Sequence, residues 1–175
     1  MNDEQTRARF EGLMVPLMDD AYNLARWLMK NEEDAEDVVQ ESYLKAFRFF
    51  AGFHTGANAR GWLLQIVRNT CYTALGARNR QEPLFELEIG QIEDTAPGPR
   101  ANLETKATVE MVREAISTLP VEYREVVVLR ELEGLAYKEI AEVVGIPIGT
   151  VMSRLSRARD QLCLILRDGE GNPQL

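Results

Sequence analysis

The stretch LAYKEIAEVVGIPIGTVMSRLSRAR, residues 135–159, constrains the fold more than any other part of the chain. Its apolar residues recur at helical spacing on both sides of a glycine-proline break, as expected for one buried stripe in each of two consecutive helices. Gly145 suits a left-handed helix end because it lacks a Cβ, and Pro147 suits the first turn of the next helix, where its missing N–H has no partner to lose. The segment therefore predicts two helices joined by a tight turn. The predicted inward residues are Tyr137, Ile140, Ala141 and Val144 in the first helix, and Val151, Leu155, Ala158 and Leu162 in the second.

The outer face of the second predicted helix is polar and basic. No acidic residue occurs from position 143 to 159. A helix-turn-helix whose second helix is basic on its outer face is typical of proteins that read the major groove of DNA. The alternative is a solvated basic face on an ordinary helical hairpin. The residues on or beside this face are Thr150, Ser153, Arg154, Ser156, Arg157 and Arg159.

Length and composition limit the other possibilities. The chain has 175 residues, of which 45% are hydrophobic, enough for one sizeable core or two small ones, and we favour two. No apolar run approaches the roughly 18 residues of a membrane span, and the N-terminus lacks a signal-peptide pattern, so we expect a cytoplasmic protein. Cys71 and Cys163 lie in helical patterns and are expected to be buried thiols. With His54 as the single histidine, we expect no metal site and no cofactor.

The net charge of −8 hides two basic islands. Residues 51–81 contain four arginines and no acid, and residues 148–160 contain three arginines against one aspartate. Charges act over a Debye length of about 8 Å at physiological salt, so such islands can bind phosphate while the rest of the chain repels it. We therefore expect weak non-specific binding to DNA.

Helical periodicity divides the chain into two all-helical modules. Helices are expected at about 10–30, 34–50 and 59–78, and helical spacing resumes near residue 103, stops at Pro120 and restarts before the helix-turn-helix. Prolines and glycines interrupt the pattern between them, which indicates a linker. We expect domains at 1–80 and 106–168, a linker at 81–105 and a tail at 169–175.

Three segments in this order resemble bacterial RNA polymerase sigma factors of the small extracytoplasmic-function type. DAEDVVQESYLKAF at 34–47 is similar to the family's polymerase-binding helix, and ARGWLLQIVRNTCYTAL at 59–75 is similar to its promoter-melting helix. LPVEYREVVVLRELEGLAYKEIAEVVGIPIGTVMSRLSRAR at 119–159 is similar to its promoter-reading domain. The resemblance implies an all-α fold: a three- or four-helix bundle like sigma region 2, and a helix-turn-helix domain like sigma region 4.

The resemblance also implies a polymerase-binding site. Asp37, Gln40 and Glu41 would dock on the clamp of the largest polymerase subunit, and the C-terminal domain would meet the flap of the second-largest subunit. Without the resemblance, these three residues would be interpreted as a solvated helix face.

For the minus-ten element, the resemblance implies two contacts with DNA. A flipped base would be held by the loop that contains Gly52, Phe53, His54, Thr55 and Asn58. The following helix would lie along the melted strand. Aromatic and small polar groups can stack on an unpaired base and bond its edge. Trp62 is interpreted as core. The family usually has an acid near position 73 and a denser run of arginines from position 76 onward. In this chain Thr73, Gly76 and Ala77 occupy these positions. The implied contacts are Phe53, His54, Asn58, Arg60, Arg68, Asn69, Arg78 and Arg80.

For the minus-thirty-five element, the resemblance implies base reading by Thr150, Ser153, Ser156 and Arg157, with Arg154 and Arg159 near phosphates. Met152 stands where the family commonly has a basic residue. Arginine reads guanine with a bidentate fork, so Arg157 is the best candidate for sequence discrimination.

These expectations describe a transcription initiation factor rather than an enzyme. The sequence offers no nucleophile paired with a base, no phosphate-binding glycine loop and no metal cluster. The resemblance implies core RNA polymerase, promoter DNA and an anti-sigma protein as partners. One alternative is a sigma-like decoy that binds an anti-sigma protein without reading promoters. Another is a repressor that never contacts polymerase, which the segment at 34–47 disfavours.

Overall fold

The computed structural model describes residues 2–78 and 106–170. Within these two segments every regular element is a helix, as expected for an all-α chain. The predicted linker at 81–105 lies outside the described residues. No helix in the described segments combines the length and the apolar character needed to cross a membrane.

The first domain contains four α-helices, and its N-terminal part differs from the single helix expected at 10–30. Helix α1 spans Asp3–Met14, a 3₁₀ turn spans Val15–Leu17, and α2 spans Met18–Met29. Pro16 lies in the turn and has no N–H to donate, so the α-helical bonding pattern is interrupted there. Helices α3 and α4 span Glu32–Phe49 and Ala59–Arg78, with a 3₁₀ turn at Phe50–Gly52 between them.

Helices α2, α3 and α4 pack together to form the core of the first domain. Asn31 caps the beginning of α3, because its side-chain oxygen accepts a hydrogen bond from the backbone N–H of Asp34 at 3.0 Å. On the buried side of α3, Ser42 donates its hydroxyl to the carbonyl of Val38, so this polar group is satisfied inside the core. The buried α3 residues are Ala35, Val38, Val39, Ser42 and Ala46.

The second domain contains the predicted helix-turn-helix. Helix α5 spans Lys106–Thr118, α6 spans Val121–Val127 and continues into a π-helical turn at Val128–Leu132, α7 spans Tyr137–Val144 and α8 spans Ile148–Glu170. Gly145 ends α7 in the left-handed conformation with φ 78°, as expected. Helix α8 begins one residue after Pro147 and packs on α6 and α7. Its residues Val151, Leu155 and Ala158 are buried, and Leu162 is half-buried.

The two cysteines have different environments. Cys71 is buried in the first domain, and burial raises the pKa of its thiol to about 12. Cys163 was also expected to be buried, but it is exposed on α8. It is followed along α8 by the exposed Leu164 and Ile165.

The two domains pack against each other along a seam formed by α2 and α4 on one side and α6 and α7 on the other. Their buried apolar residues form one continuous cluster, although the sequence favoured two small cores. Arg124 of α6 crosses this seam: its guanidinium donates to the carbonyls of Leu119 at 2.6 Å and Leu28 at 3.2 Å. The seam therefore contains polar as well as apolar contacts.

Candidate nucleic-acid interface

One face of α3 carries the residues expected to bind polymerase. Asp37, Gln40 and Glu41 are all exposed, and Leu44 and Phe47 continue the same face at helical spacing. Leu44 is 68% exposed and Phe47 is 49% exposed, so two large apolar side chains lie beside the three polar ones. We call these five residues the α3 face. An acidic border beside exposed apolar groups suits a protein partner better than it suits DNA.

A groove with a volume of about 460 Å³ lies beside the α3 face, between α2 and α3. Tyr43 lines this groove, and its phenol donates a hydrogen bond to the backbone carbonyl of Met14 at 2.7 Å. Burial raises the pKa of Tyr43 to about 12, so the hydroxyl remains a donor at neutral pH. The groove is lined by Met18, Asp19, Tyr22, Glu36, Val39, Gln40 and Tyr43.

The loop before α4 is anchored by aromatic rings, and Phe53 is one of the anchors. Its ring is buried and stacks on Phe50 with centroids 5.7 Å apart, while Trp62 lies 5.0 Å away. Phe53 was expected to stack on a flipped base, but in this arrangement both neighbours of its ring are protein side chains. The sequence did not distinguish the two uses, because an aromatic residue in a loop suits either. Trp62 packs on the core as expected.

The exposed part of this loop is polar. His54 and Asn58 are exposed, and the hydroxyl of Thr55 accepts a hydrogen bond from Arg9 at 2.9 Å. Asn58 caps α4, since its side-chain oxygen accepts from the backbone N–H of Gly61 at 3.1 Å. These groups offer hydrogen-bond donors and acceptors at the N-terminal end of α4.

Arg60, in the first turn of α4, is engaged by acidic residues of both domains. Its Nε donates to Asp20 at 2.9 Å, and its Nη2 donates to the carboxylate and to the backbone carbonyl of Glu133 at 3.0 and 2.8 Å. Glu133 follows the π-helical turn of the second domain. Burial, together with the charge of Asp20, raises the pKa of Glu133 above its ordinary value.

Arg68, two turns further along α4, forms a two-point ion pair with Glu125 of α6. The two nitrogen–oxygen distances are 2.8 and 3.2 Å, and the guanidinium also lies over the ring of Tyr72 at 3.8 Å. The side chain of Glu125 is 0% exposed. Burial raises the pKa of this carboxyl, and the hydrogen bonds from Arg68 act in the opposite direction.

The remaining residues expected at the minus-ten element lie along the same helix. Asn69 is exposed and accepts a hydrogen bond from Arg68 at 3.3 Å. Arg78 is the last residue of α4, and Arg80 lies outside the described residues.

Helix α8 carries all six residues expected at the minus-thirty-five element, but these residues differ in their ion pairs and in their exposure. Arg159 pairs with Glu131 of the same domain at 2.8 Å, and both side chains are about half exposed. Arg154 points towards the buried Glu125, 3.8 Å away. Arg157 is half-buried and forms no ion pair with another residue in the described segments. Ser153 is exposed, whereas Thr150 and Ser156 are half-buried.

Sequence reasoning missed the residues that join the domains: Arg124, Glu125 and Glu133. A signal was present for the first two, because this charged pair directly precedes the apolar run VVVL and lies between the buried Tyr123 and Val126. No comparable signal marks Glu133. Among the described residues, no cluster of histidine, cysteine, aspartate and glutamate is placed to hold a metal ion.

Comparison with known proteins identifies the family. Two family models match the chain: Sigma-70 region 2 over residues 13–81 and Sigma-70 region 4 over residues 109–162. The ECF RNA polymerase sigma-E factor of Haemophilus influenzae is 34% identical over 147 residues, covering 79% of this chain and 77% of that protein. The chain belongs to the ECF RNA polymerase sigma factors. It is therefore a transcription initiation factor that directs core polymerase to promoters.

Other relatives of this sigma factor agree with the assignment. The sigma-E factor of Escherichia coli K12 is 34% identical over 137 residues, covering 74% of this chain and 72% of that protein. SigE of Mycolicibacterium smegmatis is 33% identical over 162 residues, covering 91% of this chain and 62% of that protein. These matches extend over both domains.

Solved structures also resemble the sigma factor over both domains. The sigma factor RpoE of Bartonella quintana, solved in complex with the anti-sigma factor NepR, matches with a TM-score of 0.70 and 28% identity, covering 91% of this chain and 97% of that one. CnrH, solved with the cytosolic domain of CnrY, matches with a TM-score of 0.66 and 23% identity, covering 93% and 90%. The similarity to CnrH shows a shared fold and nothing more.

The different environments of Phe53 and His54 predict different effects on stability. Phe53→Ala should lower the free energy of unfolding by about 3 to 5 kcal/mol, because it leaves a cavity among aromatic rings. His54→Ala should change it by less than about 0.5 kcal/mol, because the side chain is exposed. Chemical denaturation of the two variants measures both values. Equal small losses would show that the Phe53 ring is not part of the core.

Proposed function

We propose that this sigma factor contacts polymerase and promoter DNA through three separate surfaces. The α3 face binds the clamp of the largest polymerase subunit, the loop at 53–58 and α4 hold the melted minus-ten strand, and the outer side of α8 reads the minus-thirty-five element. The observation that carries this division is chemical. The α3 face is acidic and apolar, whereas the other two surfaces lie in the two parts of the chain where arginines outnumber acids.

The same division supports domain limits at 1–80 and 106–168, with a linker at 81–105 and a tail at 169–175. The C-terminal domain would also meet the flap of the second-largest subunit. In this scheme the factor performs no catalysis and needs no cofactor, since polymerase makes the bonds of the transcript. A factor that acts on bacterial polymerase works in the cytoplasm.

Arg157 is the residue of α8 that we propose to select a base. Arg154 is directed towards Glu125 and Arg159 is held by Glu131, whereas Arg157 has no described carboxylate partner. A guanidinium without an ion pair can turn its two terminal nitrogens to guanine O6 and N7. Arg159, at the exposed side of the helix, is suited to phosphate after exchanging its partner. Thr150, Ser153 and Ser156 add hydroxyls that accept several base edges.

Transcription by core polymerase from a randomised promoter library tests this scheme. Wild-type factor should select both promoter elements. Arg157→Ala should cost about 1 to 3 kcal/mol of promoter-binding free energy and relax the base preference at one minus-thirty-five position. Arg159→Ala should weaken binding to all promoter sequences alike. If both variants keep the wild-type base preferences, the proposed register of α8 is wrong. If wild-type factor supports no transcription from any promoter, the decoy function is favoured instead.

The α3 face has a matched control within the same domain. Changing Asp37, Gln40 and Glu41 together to alanine should abolish co-purification with core polymerase, because the contact loses its polar groups. Changing Asp3, Glu4 and Gln5 together to alanine removes the same three residue types from exposed positions of α1 and should leave binding intact. Both variants should keep their helical content, since exposed polar residues contribute little to stability. Equal retention of polymerase by the two triple variants would contradict the proposed site.

We further propose that an anti-sigma protein holds the factor inactive by covering these surfaces. The support is the likeness over 91% of the chain to a sigma factor that was solved with an anti-sigma factor bound. The α3 face, with its exposed Leu44 and Phe47, offers such a protein an apolar surface.

Affinity purification of the tagged factor from uninduced cells tests this proposal. A small partner should co-purify in stoichiometric amount, and the purified partner should inhibit transcription by core polymerase and the factor when added back. Recovery of core polymerase alone would place regulation in synthesis or degradation of the factor.

A further inference from the structure

Helix α1 lies against the loop at 53–58, which is proposed to hold the minus-ten base. Phe10 of α1 is buried, and its ring meets the ring of Phe50 edge to face with centroids 5.2 Å apart. Phe50 in turn stacks on Phe53, the first residue of the loop. Contacts between buried rings favour particular distances and angles, so α1 has a defined position beside the loop.

Arg9, the neighbour of Phe10, reaches from α1 to this loop. Its Nη2 donates to the hydroxyl of Thr55 at 2.9 Å, and its guanidinium lies over the ring of Phe50, 5.2 Å from the centroid. The face of an aromatic ring attracts a cation, so the ring supports the hydrogen bond. Two contacts therefore direct the Arg9 side chain towards Thr55. Arg9 belongs to neither of the two basic islands in the sequence.

Thr55 lies at the tip of a tight turn. The backbone N–H of Ala57 donates to the carbonyl of His54 at 3.1 Å, which leaves Thr55 and Gly56 as the two central residues of the turn. Gly56 has a φ of 95°, in the left-handed region that a type II turn requires at its second central residue. The turn is closed by its own backbone bond, and Arg9 adds a bond to its tip from another helix.

The bond from Arg9 determines what the Thr55 hydroxyl can offer to DNA. A hydroxyl has one proton to donate and two lone pairs with which to accept. Arg9 occupies one lone pair, so the proton remains free and points away from the guanidinium. A bond from a charged donor also polarises the hydroxyl and strengthens it as a donor. Because Thr55 is exposed, this proton is available to a bound base.

The positive charge behind the hydroxyl also distinguishes between base edges. An amino group of a base presents hydrogens with partial positive charge, which the guanidinium repels, whereas a carbonyl oxygen or an unprotonated ring nitrogen is attracted. Without Arg9, the hydroxyl is free to rotate and to accept from an amino group as readily as it donates. Arg9 therefore makes a permissive hydroxyl selective.

We propose that Arg9 is a positioning residue for the minus-ten element. It holds Thr55 as a hydrogen-bond donor, so that the loop prefers a flipped base that presents an acceptor there. Arg9 acts through Thr55 rather than on the base itself. The inference rests on the proposed role of the loop at 53–58, and it deepens that role by naming the hydroxyl that reads the base and the residue that orients it.

Arg7 provides a matched control in the same helix. It is exposed and pairs with Glu11, one turn away in α1, at 2.9 Å. Arg7→Ala therefore removes the same charge as Arg9→Ala but leaves the loop untouched. Thr55→Val removes the hydroxyl and keeps the branched shape of the side chain. Each variant is assayed as the full chain with core polymerase on promoters randomised at the minus-ten element.

Arg9→Ala and Thr55→Val should each lower the base preference at the same minus-ten position by about fivefold, the effect of one hydrogen bond. The variant with both changes should lose no more than either single variant, because the two residues act through one bond. Arg7→Ala should keep the wild-type preference. Wild-type preference in Arg9→Ala or in Thr55→Val, or additive losses in the double variant, would overturn the proposal.

Failure of the loop's proposed role gives a different pattern. In that case Thr55→Val, His54→Ala and Asn58→Ala would all keep the wild-type preference at every minus-ten position. If only Arg9→Ala keeps it, the loop reads the base without help from α1.

Hydrogen exchange on the free factor tests the contact between α1 and the loop without DNA. The amide of Ala57 closes the turn, so its exchange rate reports how firmly the turn is held. Arg9→Ala should raise this rate above that of the wild type and of Arg7→Ala, both of which keep the bond to Thr55. An equal rate in all three proteins would show that Arg9 does not hold the loop, and the proposal would be wrong.

Discussion

The arrangement of the two domains depends on the burial of the Glu125 carboxylate. A carboxylate removed completely from water is stable only when cations replace its solvation. Arg154 supplies one cation from within the C-terminal domain, and Arg68 supplies the closer one from α4 of the other domain. The closest cation to a buried acid of the helix-turn-helix domain thus belongs to the first domain, so charge as well as apolar contact contributes to the packing of the two domains.

Much of the architecture could be predicted because it depends on local rules. The left-handed Gly145, the capping Asn31 and the apolar spacing of α8 each follow from the chemistry of a single helix end or face. A single helix was expected at 10–30, whereas α1 ends and α2 begins on either side of the turn that contains Pro16. Helical spacing continues on both sides of the turn, so periodicity alone could not reveal it.

The candidate site was harder to predict because its residues are ambiguous in isolation. An arginine in an acid-free stretch indicates phosphate, yet Arg68 meets a glutamate 57 positions later in the sequence, and no local pattern connects the two. Phe53 illustrates the same difficulty for aromatic residues, since the loop that could offer a ring to a base buries it against Phe50. Residue type indicated the available chemistry, while the choice between protein and nucleic acid as the partner required the tertiary structure.

The acids of the seam also affect how far such factors can be recombined. Related factors share both domains, which invites chimeras that join the first domain of one protein to the second domain of another. Among the described residues, a second domain without acids at the positions of Glu125 and Glu133 would leave Arg68 with no carboxylate partner and Arg60 with Asp20 alone. Such a hybrid could keep both reading surfaces and still differ from its parents in resting charge distribution and in its tendency to adhere to genomic DNA at random.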